Sequence, residues 1–196
     1  SSPRVMTELS EYDSNEGVQH VSSDATKLLL FINGTLKTSS KEIGGWETPQ
    51  ELIGGINEGD WQADANISSD NNAILFSSSR SSNRNFALNK LTIGEQRDLN
   101  YHGTSGESVD IYVSLKDENG EWGEAINLGP QINTDFNDRS PYLHPDMKTL
   151  YFSSSGHGGL GSMDVYKSTR LSDSCWTCWS KPINLGKEIN TTRNKQ

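Results

Sequence analysis

Three observations predict an all-β fold of repeated four-stranded antiparallel sheets. Val21-Ser22-Ser23-Asp24, Ile67-Ser68-Ser69-Asp70 and Leu143-His144-Pro145-Asp146 align without gaps, and strand-forming runs follow at 27–33, 73–79 and 149–155. Later in each unit a Trp is followed at fixed offsets by Leu, Ile and Asn: Trp46/Leu52/Ile56/Asn57, Trp122/Leu128/Ile132/Asn133 and Trp179/Leu185/Ile189/Asn190. The spacing from Trp46 to Asp70 equals that from Trp122 to Asp146, 24 residues in both cases. Self-similarity of this kind marks a repeat array. Four short antiparallel strands per repeat, with turn residues between, describe a β-propeller blade. No helix-period stretch exceeds two turns, which sets aside an α/β fold.

Taken in order, residues 1–16 supply a leading outer strand (4–9) and a polar approach. Unit one is 17–60, with strands near 18–22, 28–33, 35–39 and 49–53. Unit two is 61–138, with strands near 63–67, 73–78, 110–114 and 125–128. Unit three is 139–196, with strands near 140–144, 149–153, 164–168 and 182–185. Val21, Ile67 and Leu143 are expected on the innermost strand of each blade. Length varies only between Asp and Trp within a unit, so insertions sit on one rim, as stacking requires. The longest, 80–108, is polar; its Phe86–Leu91 segment suggests a further strand pair.

The fixed residues have physical reasons. Each Asp can cap its own turn with its side chain. Leu28/Leu30, Ile74/Phe76 and Leu150/Phe152 alternate along their strands and should fill the gap to the next blade. Each Trp can cover a sheet edge. Asn57, Asn133 and Asn190 are expected to satisfy backbone groups where the chain crosses to the next blade.

Composition narrows the function classes. The net charge is −9 with no basic block, so nucleic acid is not an expected partner. Mean hydropathy is −0.69. The longest strongly apolar run, 28–32, is too short to span a membrane, and no signal peptide is visible. Cys175 and Cys178 lie in a CWTCW turn between strands, where a local disulfide or two unpaired thiols are both open readings. A zinc site would need two more ligands, which the four histidines do not offer at any recognisable spacing. No cofactor is expected.

His144-Pro145-Asp146, Leu150–Ser154, the glycine-rich 156–161, Met163-Asp164-Val165-Tyr166 and 182–186 resemble TolB-type, WD-like β-propeller repeats. More narrowly they are similar to the version in periplasmic OmpA-family proteins of Gram-negative envelopes. Unit one departs from the pattern, having Gly34-Thr35-Leu36-Lys37 in place of the glycine-rich loop and Asp-aliphatic-Tyr strand. Unit two keeps Asp110-Ile111-Tyr112 but carries its insertion where that loop would be. The resemblance implies a six-bladed ring of which this chain supplies half, the remaining blades coming from further sequence or another chain. It implies a non-catalytic binding or scaffold module, periplasmic or outer-membrane-associated, with a protein or peptidoglycan-linked partner. On that view both ends of the array expose apolar sheet faces without a polar cap.

Several motifs bear on chemistry. Ser114–Trp122 resembles a sialidase Asp-box, a hairpin-turn device, but its spacing is off by one at two places. Asp117–Glu121 lacks the spaced ligands of a calcium loop. His102–Glu107 is not a nucleophile elbow, since Glu107 stands where the second glycine belongs. The glycine-rich loop offers backbone N–H groups that can cradle an anion beside His157 or Arg80. Arg80, His157 and Asp164 are therefore the candidate binding residues. Asp110 and Asp164 recur at equivalent strands; as a carboxylate pair they carry the alternative reading of a carbohydrate-active or glycan-binding propeller.

Overall fold

The computed structural model describes residues 5–10, 14–22, 24–59, 61–80 and 108–192. The expected strand pair at 86–91 and the 102–107 motif lie outside the described residues. The chain is all-β; the described residues form thirteen strands in three antiparallel sheets and one short 3₁₀ turn. Sheet 1 orders β1 (Glu16–Val21), β2 (Lys27–Ile32), β3 (Thr35–Glu42) and β4 (Gly45–Trp46), with β5 (Gln50–Glu51) also pairing with β3. Sheet 2 runs β6 (Gln62–Ile67), β7 (Ala73–Ser78), β8 (Asp110–Leu115) and β9 (Ile126–Asn127). Sheet 3 runs β10 (Asp138–Leu143), β11 (Thr149–Ser154), β12 (Asp164–Thr169) and β13 (Ile183–Asn184). The expected strand positions hold in all three units, and sheet 1 adds a two-residue strand.

The turn aspartates do what their residue type suggests. Asp24 accepts from the Ser22 hydroxyl (2.6 Å) and the Thr26 amide (3.1 Å). Asp70 accepts from Ser68 (2.5 Å) and the Asn72 amide (3.1 Å). Asp146 accepts from the Lys148 and Thr149 amides, both at 2.8 Å. The Ser22 and Thr26 hydroxyls, with the Thr26 amide, pull Asp24 down to about 2. At the next position Ala25, Asn71 and Met147 adopt φ of 54°, 61° and 61°, the left-handed conformation that closes each turn.

Each first strand carries a bulge at the same place. Register shifts fall between Val18 and His20 in β1, Ala63 and Asn66 in β6, and Arg139 and Tyr142 in β10. One extra residue in a strand bends it and turns its side chains. The bulged first strands face one another, β10 against β6 and β6 against β1. Val21, Ile67 and Leu143 lie on these strands.

Two apolar cores seat the sheets on each other. Between sheets 1 and 2, Leu29, Leu36, Leu52 and Ile56 meet Ala65, Ile74, Phe76 and Tyr112. Between sheets 2 and 3, Leu75, Ile111, Val113, Leu128 and Ile132 meet Leu143, Leu150, Phe152 and Tyr166. Ile74/Phe76 and Leu150/Phe152 thus fill the gap to the preceding sheet, not the next one as expected. Their neighbours Leu29 and Leu75 face forward. Both alternating sets are apolar, so periodicity locates two faces without saying which neighbour each meets.

The leading segment differs from expectation as well. Residues 7–9 form a turn, not a strand, with the Leu9 amide on the Met6 carbonyl at 3.0 Å. Met6 and Leu9, three residues apart, then point the same way and pack with Leu28, Leu30 and Ile32. Met6 and Leu9 thereby cover the face of sheet 1 that was expected to be exposed. Sheet 3 presents its forward face differently: Ile189 is 59% exposed, while its equivalents Ile56 and Ile132 are both 0% exposed.

This contrast makes a stability prediction. Ile132→Ala should cost about 2–4 kcal/mol in denaturant unfolding, because it leaves a cavity between two sheets. Ile189→Ala in the same chain should cost less than about 0.5 kcal/mol. Equal losses at the two positions would show that the interface is not where Ile132 contributes.

Candidate functional site

Polar groups gather in two settings, the seams between sheets and a groove along the first strands. At the seams the side chains are committed to structure. Arg80 stacks on Phe76 and Tyr112 at 5.2 and 5.1 Å and donates to the Gly55 and Ile56 carbonyls. One sheet on, His157 packs against Phe152 and Tyr166 at 5.7 and 5.4 Å. Its Nε2 lies 2.8 Å from the Ile132 carbonyl. A carbonyl only accepts, so the His157 proton sits on Nε2. Phe76 and Phe152 are repeat equivalents, as are Tyr112 and Tyr166, and Ile56 and Ile132. Arg80 and His157 therefore form the same clamp in successive seams. Burial pulls the Arg80 guanidinium below its ordinary value.

The aspartates are enclosed. Asp164 is 2% exposed and accepts from the Leu160 and Gly161 amides and from Asn184. A Cβ at Gly159 would come within 1.6 Å of its Oδ2, so the loop needs glycine there to close over the carboxylate. Asp110, 3% exposed, receives Asn127 Nδ2 at 2.8 Å. Asp138 is 0% exposed with Thr134 Oγ1 on its Oδ2 at 2.8 Å, and burial raises its carboxyl above the usual range. These carboxylates are shut off from solvent, and Asp110 and Asp164 belong to different sheets. The structure therefore does not bring Arg80, His157 and Asp164 into one accessible site.

Cys175 and Cys178 are joined by a disulfide in the loop after β12. That loop positions Trp176 beneath the Arg170 guanidinium at 4.1 Å and lets Trp179 Nε1 donate to the Trp176 carbonyl at 2.7 Å. Among the described residues no group of three or more His, Cys, Asp or Glu could hold a metal ion.

Among the described residues an accessible cluster lies in a groove of about 410 Å³ where β1, β6 and β10 converge. Its lining comes from equivalent bulge positions: Val18, Asp64 and Ser140, then Gln19, Ala65 and Pro141, then His20, Asn66 and Tyr142. Asp64 and Ser140 take φ of 52° and 54°. Val18, whose β-branch resists that conformation, does not. The Leu143 amide donates to Asn66 Oδ1 at 2.9 Å, which fixes that carboxamide and aims its Nδ2 at His20 Nδ1, 3.4 Å away. His20 thus accepts at Nδ1 and carries its proton on Nε2, and burial holds its pKa below the ordinary value. Gln19 Oε1 accepts from the Ala65 amide at 3.3 Å. Asp64 Oδ2 accepts the Ser140 and Ser77 hydroxyls at 3.2 and 3.4 Å. Ser140 therefore donates to Asp64 and not to His20, so no nucleophile–base pair is set up.

Sequence reading missed these residues, although a signal existed. Extended upstream by three positions, the gap-free alignment shows a fixed apolar position (Val21, Ile67, Leu143) preceded by three that differ in every repeat. Variation beside a fixed frame is where a surface is free to specialise. Neither the models of known protein families nor the curated proteins give a match to this chain.

The clamp assignment predicts destabilisation. His157→Ala and Arg80→Ala should each lower stability by about 1–3 kcal/mol, since each unpairs a buried carbonyl and uncovers a Phe–Tyr pair. The measurement is denaturant unfolding of the purified chain. A melting curve unchanged in both variants would return these two residues to the list of free binding groups.

Proposed function

We propose that the chain is a non-catalytic binding module whose three sheets are blades of a β-propeller, and that its partner docks at the first-strand groove. One observation carries this reading. Arg80 and His157 reach across the seams to the Ile56 and Ile132 carbonyls and the aspartates are shut off from solvent, while polar atoms lining the groove are left without a protein partner. Among the described residues Gln19 Nε2, His20 Nε2, Asp64 Oδ1 and the Tyr142 hydroxyl have no protein partner. Convergent polar groups on a rigid frame are the usual makings of a binding site.

A bacterial cell envelope is the proposed setting, in the periplasm or at the outer membrane, with a protein or peptidoglycan-linked partner. The repeat resemblance supports it, and the Cys175–Cys178 disulfide is compatible with an oxidising compartment. No helix among the described residues is long and apolar enough to cross a membrane. The forward face of sheet 3, where Ile189 is 59% exposed, is proposed to receive another sheet of the same kind. That sheet would occupy the place that sheets 2 and 3 take on their predecessors.

A photo-crosslinking residue tests the docking site. Placed at Tyr142 in the groove, it should form adducts with envelope material, protein or glycan. The same residue at the fully exposed Ile43 should form none. Adducts at Ile43 with none at Tyr142 would move the site away from the groove.

A further inference from the structure

The geometry points to a ligand class for the groove: a neutral, hydroxyl-rich ring, that is, a saccharide. This inference rests on the groove being the binding site and adds what binds there. The cavity of about 410 Å³ falls within the range of small-molecule sites, roughly 300–1,000 Å³. Its open groups alternate in kind. Gln19 Nε2 and His20 Nε2–H donate, Asp64 Oδ1 accepts, and the Tyr142 hydroxyl does both. A ligand that satisfies donors and acceptors side by side needs groups that are themselves both, and neighbouring hydroxyls on a ring are such groups.

Charge narrows the choice further. The groove is lined by one carboxylate and by no Lys or Arg. An anionic sugar or phosphate would meet Asp64 with nothing to offset the repulsion. The His20 imidazole is fixed as a neutral donor by its Nδ1 contact with Asn66 and supplies no charge either. A simple cation would satisfy Asp64 but leave the donors of Gln19 and His20 facing it unpaired, which is unfavourable once water is displaced.

Shape agrees with chemistry. Tyr142 is 48% exposed and held by its neighbour Tyr151, ring centroids 6.5 Å apart, so it offers a braced aromatic face. Val18 and Val21, 57% and 47% exposed, extend an apolar surface from the other side. A pyranose has the matching amphipathy, with C–H faces for the aromatic and aliphatic surfaces and a hydroxyl rim for Gln19, His20 and Asp64. The groove is open, which suits a residue within or at the end of an oligosaccharide.

The test uses the full chain and defined probes: neutral trisaccharides of glucose and of N-acetylglucosamine, sialyllactose as the anionic control and trilysine as the cationic one. Binding is read by calorimetry and by NMR shifts of the Tyr142 ring. At least one neutral trisaccharide should bind, with both control probes at least about tenfold weaker. Tyr142→Ala and Asp64→Asn should each weaken that binding by about tenfold. Asn accepts the left-handed backbone at position 64, so the second variant keeps the fold if the first does not. Preference for sialyllactose or trilysine, or neutral binding indifferent to both variants, overturns the assignment. Groove crosslinks to envelope protein without any saccharide binding would sink the saccharide alone. Absence of both would sink the binding reading too.

Discussion

The structure depends on one recurring interaction, a side-chain carboxamide that takes the place of a strand residue. Asn133 Oδ1 accepts from the Ile111 amide and its Nδ2 donates to the Ile111 carbonyl, both at 2.8 Å. Asn190 does the same to Val165 at 2.8 and 3.0 Å, and Asn57 to Leu36 at 2.9 Å in both directions. A carboxamide presents one C=O and one N–H in a plane, as a peptide group does, and so pairs like an antiparallel neighbour. The fourth strands are only two residues long, and Asn continues the ladder where the chain must turn away. It thereby pins the crossing segment to the third strand. The preceding Ile is then delivered into the core against the next sheet, and its carbonyl is presented to the clamp, Arg80 in one seam and His157 in the other. Burying those seams supplies the apolar area that small sheets lack on their own.

That division of labour locates the open chemistry. At the seams Arg80 and His157 are spent on the Ile56 and Ile132 carbonyls and the aspartates are enclosed, whereas the bulges of the first strands turn side chains into a shared groove. The inter-sheet contacts there use only part of each side chain. Gln19 gives its oxygen to Ala65, Asn66 gives its oxygen to Leu143, and Asp64 gives one of two oxygens to hydroxyls. Asn66 Nδ2 is taken up by His20, and Gln19 Nε2 and Asp64 Oδ1 are left for a ligand on a backbone held from behind. A site of this kind is pre-ordered, so binding loses little side-chain freedom.

Much of the frame was legible from residue types and spacing. Turn aspartates, strand positions and the role of the three asparagines follow from local chemistry, which the repeat states three times over. What was not legible depends on neighbours. Leu28 and Leu29 are both apolar, and only the packed sheets show that Leu28 faces backward and Leu29 forward. The leading segment, expected as an outer strand, closes an i to i+3 turn that puts Met6 and Leu9 on Leu28 and Leu30. Arg80 and His157 sit in polar, loop-like sequence, where a side chain reaching back to the carbonyl of a residue 24 or 25 positions earlier leaves no local mark. Tyr142 and Asp64 were hidden because bulges reorient side chains without changing residue type.

The central claim is that the asparagine carboxamide holds each crossing to its sheet. Native-state hydrogen exchange of Asn133→Ala tests it most directly. Loss of two buried backbone partners should lower global stability by about 2 kcal/mol or more. The Ile111 amide should then exchange faster than the Leu36 amide, whose own Asn57 is intact. Stability within about 0.5 kcal/mol of the parent, with Ile111 still protected, would contradict the account.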